Sequence, residues 1–201
     1  MMKLALRYSL AAMILVLCIA SPATAGPLED AAAALAKKDY ATALRLYRML
    51  ADQNNAVAQS MLGEMYVLGH GTPPNDAEAV KWFRRAADQG NIHALISLAL
   101  AYREGSIGLQ RDLAEAAKLF SRAAEQGNGA AQSVLGHIYQ NGRGVPQNLV
   151  RAHMWFSLSA AQGTRSAADN REKVAKLMTP AQIAEAEKLA REWKQTPSAP
   201  R

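Results

Sequence analysis

Four histidines carry the chain's most visible capacity for chemistry: His70, His93, His137 and His153. An imidazole can bind a metal, take a proton or pass one on near neutral pH. Those roles need company at set spacing, such as His-Glu-x-x-His for zinc or a serine on a strained elbow for acyl transfer. That company is missing. His70 sits in "GHGTPP", whose glycines and prolines make a turn too short for a phosphate loop, and His93 opens a helix. His137 and His153 fall in different helical segments. Ser133 and Ser157 lack a nucleophile elbow, while Glu185 and Glu187 belong to a solvated helical face. No catalytic residue, metal site or cofactor is expected. An enzyme stays open only if folding assembles a site that the sequence does not show.

The segments that hold these residues say the same thing several times. "KWFRRAADQG" at 81–90 returns as "KLFSRAAEQG" at 118–127 and again as "MWFSLSAAQG" at 154–163. "AQSMLGEMY" at 58–66 answers to "ALISLALAY" at 94–102 and "AQSVLGHIY" at 131–139. Ala58, Ala94 and Ala131 lie 36 and 37 residues apart, and Gly90, Gly127 and Gly163 lie 37 and 36 apart. A fixed period in this range marks stacked units, none able to bury its apolar face alone.

Each landmark has a mechanical reading. Ala58, Leu62 and Tyr66 form one apolar stripe on a first helix. Gly69 and Gly71 break that helix, and Pro73 and Pro74 stop it resuming. Asn75, Asp112 and Asn148 occupy one position where a short polar side chain caps the next helix. Glu78 and Glu115, three residues on, predict a capping box in two units. Ala79, Trp82, Phe83, Ala86 and Ala87 give the second helix a broad buried stripe. Gly63, Ala99 and Gly136 share a mid-helix position, where three small residues in register predict close helix approach.

The ends differ. "LEDAAAALAKK" and "DYATALRLYRMLADQNN" make a half-matching first pair, and Thr179-Pro180-Ala181-Gln182 reads as a capped start to a terminal helix. Ile183, Ala186, Ala190 and Trp193 then face inward. At the N-terminus, Lys3 and Arg7 precede the apolar run "LAAMILVLCIA" and Ala23-Thr24-Ala25, the order of a cleavable export signal. An uncleaved anchor is the competing reading. Cleavage would remove Cys18, the only cysteine, so the exported protein would be held by packing alone. It would also leave 21 Lys and Arg against 17 acids, a balance of +4 from the +6 of the whole chain. These charges interleave along the helices, which fits a solvated surface and argues against nucleic acid as partner.

The order small-Gly-x-x-Tyr, Gly-x-Gly, then Ala-x-x-aromatic-x-x-Ala-Ala-x-x-Gly, across roughly residues 56–163, resembles the Sel-1-like repeat. The resemblance implies an all-α, right-handed α-α superhelix of stacked antiparallel helix pairs. It also implies a non-enzymatic module, periplasmic or secreted, that binds a protein or peptide on its concave face. The expected organisation is a signal peptide over 1–25, a first pair over 28–55, and units over about 56–91, 92–128 and 129–164. Capping helices over 165–194 and a disordered tail over 195–201 complete the chain. A wall-associated enzyme or glycan-processing factor is the alternative. The middle unit departs from the pattern, since "GSIGL" replaces Gly-x-Gly with one extra residue and predicts a bulged turn.

On a helical wheel, Ser60, Glu64 and Val67 lie opposite the buried stripe of the first helix. Their equivalents are Ile96, Leu100 and Arg103, then Ser133, His137 and Gln140. Ile96 and Leu100 are apolar where the other units are polar, which predicts a partner-binding patch centred on the middle unit. Packing of both side chains against a neighbouring first helix is the competing expectation.

Overall fold

The computed structural model describes residues 26–195. Within them the chain is helical and carries no strand. The first pair is α1 (Pro27–Ala36) and α2 (Tyr40–Asp52). Unit 1 is α3 (Ala56–Leu68) with α4 (Asp76–Asp88), and unit 2 is α5 (Ile92–Glu104) with α6 (Leu113–Glu125). Unit 3 is α7 (Gly129–Asn141) with α8 (Leu149–Ala161), followed by α9 (Arg165–Ala175) and α10 (Pro180–Gln195). Each helix from α1 to α8 packs against the next in sequence, and α10 folds back onto α8. The result is a solenoid of stacked helix pairs. The expected leader over 1–25 and residues 196–201 of the expected tail lie outside the described residues, while Gln195, expected in that tail, is the last residue of α10.

Short polar side chains set the helix starts. Asn75, Asp112 and Asn148 accept backbone N–H bonds at the starts of α4, α6 and α8, each within 3.0 Å. Asn55, Asn91 and Asn128 do the same for α3, α5 and α7. The reciprocal half of the predicted capping boxes does not form. Glu78 accepts instead from Lys81 and from the Trp82 indole, and Glu115 accepts from Lys118. The physical reason is that the cap's own N–H is already used. Asn75, Asp112 and Asn148 donate to the carbonyls of Tyr66, Tyr102 and Tyr139 at the end of the preceding helix. Thr179 has no such acceptor, and there the reciprocal box with Gln182 closes at 2.9 and 3.3 Å.

The small mid-helix position works by crowding. A Cβ on Gly63 would sit 2.9 Å from the Phe83 ring, and one on Gly136 would sit 2.6 Å from the Phe156 ring. In units 1 and 3 the second-helix phenylalanine therefore lies directly on the first-helix backbone. Gly71 and Gly144 do a second job that the sequence reading missed, since both take left-handed φ and sit against the backbone that starts the previous second helix, at Tyr40 and Leu113. The middle unit departs as expected: Ile107 is forced to φ 45° beside Gly108, and a Cβ on Gly108 would come no nearer than 3.9 Å to Asp76. At the far end Ala186 and Ala190 are buried, and Trp193 meets Trp155 edge-on at 5.1 Å.

Candidate functional site

The predicted binding face is only partly a surface. Ser60 is 2% exposed and Ser133 9%, so neither can meet a partner as drawn on the helical wheel. The side of each first helix away from its own partner helix is turned toward the next first helix. Ser60 Oγ lies 2.8 Å from His93 Nδ1 on α5, and His137 Nε2 lies 3.1 Å from Asn170 Nδ2 on α9. Ile96 and Leu100 are half-buried and packed against the core, so their apolar character fills a joint instead of forming an open patch. Glu64, Val67 and Gln140 are half-buried, while Arg103 and His137 are exposed.

Ser60, His93 and Glu64 resemble a hydrolase triad on paper, and no sequence motif links them because Ser60 and His93 are 33 residues apart. The geometry denies that role. The Ser60 oxygen is shut away from any substrate, and Glu64 Oε2 stands 3.7 Å from His93 Nε2, too long for a hydrogen bond. The three side chains act as a polar clasp between α3 and α5.

Where successive first helices meet the second helix beneath them, the solenoid leaves a recess. The junction of units 1 and 2 holds one of about 260 Å³ lined by Glu64, Val67, Phe83, His93, Ser97, Leu100 and Ala101 among others. The junction of units 2 and 3 holds one of about 460 Å³, lined by Arg103, Arg111, Leu113, Ala116, Phe120, Val134, His137, Ile138 and Arg143. These are one site repeated. Val67, Phe83, Ser97, Leu100, Ala101 and Ser106 correspond by 36 or 37 residues to Arg103, Phe120, Val134, His137, Ile138 and Arg143. The first recess carries a single acid. The second carries three guanidinium groups and a histidine over an apolar floor.

A family model described as the Sel1 repeat matches residues 33–55, 56–91, 92–128 and 129–164. The chain belongs to the Sel1 repeat family. Two solved relatives share its fold. A protective antigen of uropathogenic Escherichia coli with an SLR fold is 34% identical, superposes with a TM-score of 0.68, and aligns over 78% of this chain and 33% of its own. A Sel1 repeat protein from Oxalobacter formigenes is also 34% identical, with a TM-score of 0.60, over 63% of this chain and 95% of its own. The exopolysaccharide production negative regulator of Rhizobium meliloti is 31% identical over 134 residues, 60% of this chain and 50% of that protein. Chitin synthase regulatory factor 2 of Schizosaccharomyces pombe is 36% identical over 70 residues, 35% of this chain and 14% of that protein. This chain thus spans half or less of the curated relatives it matches. Sel1 repeats generally mediate protein–protein interaction.

One further cavity lies where the Sel1 array ends. About 500 Å³ between α8, α9 and α10 is lined by His153, Ser157, Arg171, Glu187 and Arg191 among others. His153 is 4% exposed, and its Nδ1 has no hydrogen-bond partner. Burial, reinforced by the nearby Arg171 charge and opposed by Glu187, holds its imidazole below the ordinary histidine range. Among the described residues no cluster of His, Cys, Asp and Glu is arranged to hold a metal, and no helix is long and apolar enough to cross a membrane.

Proposed function

We propose that this Sel1 repeat chain is an exported, non-enzymatic interaction module that grips a protein partner at the junction of units 2 and 3. The observation that carries this reading is the 460 Å³ recess, the larger of the two junction sites and the one ringed by Arg103, Arg111 and Arg143. An apolar floor with an arginine rim is the composition of binding centres, where buried contact supplies affinity and guanidinium groups supply orientation. Arg103 and His137 remain from the predicted face, and Arg111 and Arg143 join them. Two relatives named as regulatory proteins fit a module that acts by binding. Export rests on the basic start, short apolar run and Ala23-Thr24-Ala25 ending.

Affinity capture from periplasmic extract, followed by mass spectrometry, tests the binding role. It should recover a defined partner with the parent protein and lose it when Arg103 and Arg143 are both changed to Glu. Turnover of cell-wall fragments by the purified protein would contradict the non-enzymatic reading. The intact mass of periplasmic material should begin at Gly26, and a species retaining Met1 there would contradict export with cleavage.

A further inference from the structure

We infer that the recess between units 2 and 3 takes an acidic segment of the partner protein, seating one apolar side chain between the half-buried Leu113 and Val134, above the buried Phe120 and Ile138, while flanking carboxylates meet Arg103, Arg111 and Arg143. This rests on the interaction-module reading and adds the chemistry of the occupant. No acid lines the recess. Arg143 has no side-chain partner among the described residues, and Arg111 uses only Nε, donating 3.2 Å to the Arg103 carbonyl. Arg103 alone meets an acid, its sequence neighbour Glu104 at 2.7 Å, on an exposed site where such a pair holds weakly. Three like charges around one concavity repel each other and focus the field on whatever enters, so an anion gains from all three at once. Guanidinium and carboxylate match in shape as well as charge.

The floor decides what kind of anion. Phe120, Leu113, Ala116, Val134 and Ile138 offer no hydrogen bond to a sugar hydroxyl or a nucleotide edge, but they suit an aliphatic or aromatic side chain. A recess of about 460 Å³ has room for one or two such side chains and not for a folded domain. The equivalent recess between units 1 and 2 is a built-in control, because it keeps the apolar floor at Phe83 and Leu100 yet bears Glu64 and no arginine.

The test is fluorescence anisotropy of the full-length protein with a labelled peptide Asp-Glu-Phe-Glu-Asp-Leu-Glu, against its neutral counterpart Asn-Gln-Phe-Gln-Asn-Leu-Gln. The acidic peptide should bind about tenfold or more tightly than the neutral one, and Arg143→Glu should erase that margin with melting unchanged. Arg143→Lys should retain much of the binding, and Glu64→Gln at the other junction should leave it unaltered. Equal binding of the two peptides, or indifference to Arg143→Glu, would overturn the inference. So would a polyuronate or a single-stranded oligonucleotide that outbinds the acidic peptide in an Arg143-dependent way. If capture recovers a partner that survives Arg143→Glu, the acidic-segment inference fails while the interaction-module reading stands. If the parent protein recovers none, the module reading itself fails.

Discussion

The two junction recesses differ in charge because they differ at a handful of positions on an otherwise repeated frame. Between units 1 and 2, His93 reaches Ser60 at 2.8 Å and Glu64 stands 3.7 Å away, so that recess is lined by an acid and a histidine. Between units 2 and 3 the positions of Glu64 and Val67 are filled by Leu100 and Arg103, and Leu100 and Ser106 are succeeded by His137 and Arg143. The ring beneath is the same, Phe83 in one recess and Phe120 in the other. Backbone periodicity makes the cavity, and side-chain variation decides whether the solenoid satisfies it internally or leaves it to a partner. The function of a repeat protein is therefore written where its units disagree.

The largest effect should come from attacking what the junctions share. Gly136→Leu puts a side chain where a Cβ would already lie 2.6 Å from the Phe156 ring. It should cost stability at the upper end of the roughly 1–3 kcal/mol typical of overpacking, seen as a lowered urea midpoint. Unchanged unfolding would mean that the two helices can separate freely and that the repeat register is wrong.

Leu100 sharpens the comparison because it belongs to the first recess by position and to the core by packing. Leu100→Glu should destabilise by about 1–2 kcal/mol, since a half-buried leucine is exchanged for a charge beside Glu64. Partner capture at the second junction should survive. Loss of capture with no change in melting would instead make Leu100 a contact residue. Ser60→Ala breaks only the clasp and should cost about 1 kcal/mol by thermal melting. A loss of enzymatic turnover in that variant would revive the triad reading.

His153 provides the smallest effect, outside both junctions. Its folded pKa lies below the ordinary value of about 6.5, so the unfolded chain takes up the proton first as pH falls. The stabilisation from keeping it neutral is complete above about pH 6.5 and is lost progressively below that, as a protonated His153 becomes a third cation beside Arg171 and Arg191, with Glu187 the one acid among the described lining residues. Melting temperature should fall from pH 7 to pH 5, and fall less in His153→Gln. Parallel curves for the two proteins would show that His153 is not the group responsible.

How far the sequence reaches follows from the range of each signal. Helix caps, buried stripes and the small positions at Gly63 and Gly136 are local or periodic, and the family match and the helices agree with that reading. The reciprocal role of Glu78 was misread because the competing carbonyl, Tyr66, lies across the turn and is invisible to a motif three residues long. Ser60 and Ser133 were misplaced for a related reason. A helical wheel knows one helix and one partner, whereas each first helix here also meets the next one in the stack. Arg111 and Arg143 were passed over because they sit in turns, outside the wheel, and only the stacking of units brings them beside Arg103.

Val134 and Ser97 occupy the same repeat position in the two recesses, which makes them a matched pair of probes. A photo-crosslinking residue placed at each in turn, followed by irradiation in cells, tests directly whether the junctions differ in function. Position 134 should yield a crosslinked partner that vanishes with Arg143→Glu, and position 97 should yield none. Equal adducts at both positions, or an adduct at 97 alone, would contradict the assignment of the arginine-lined junction as the site where this solenoid meets its partner.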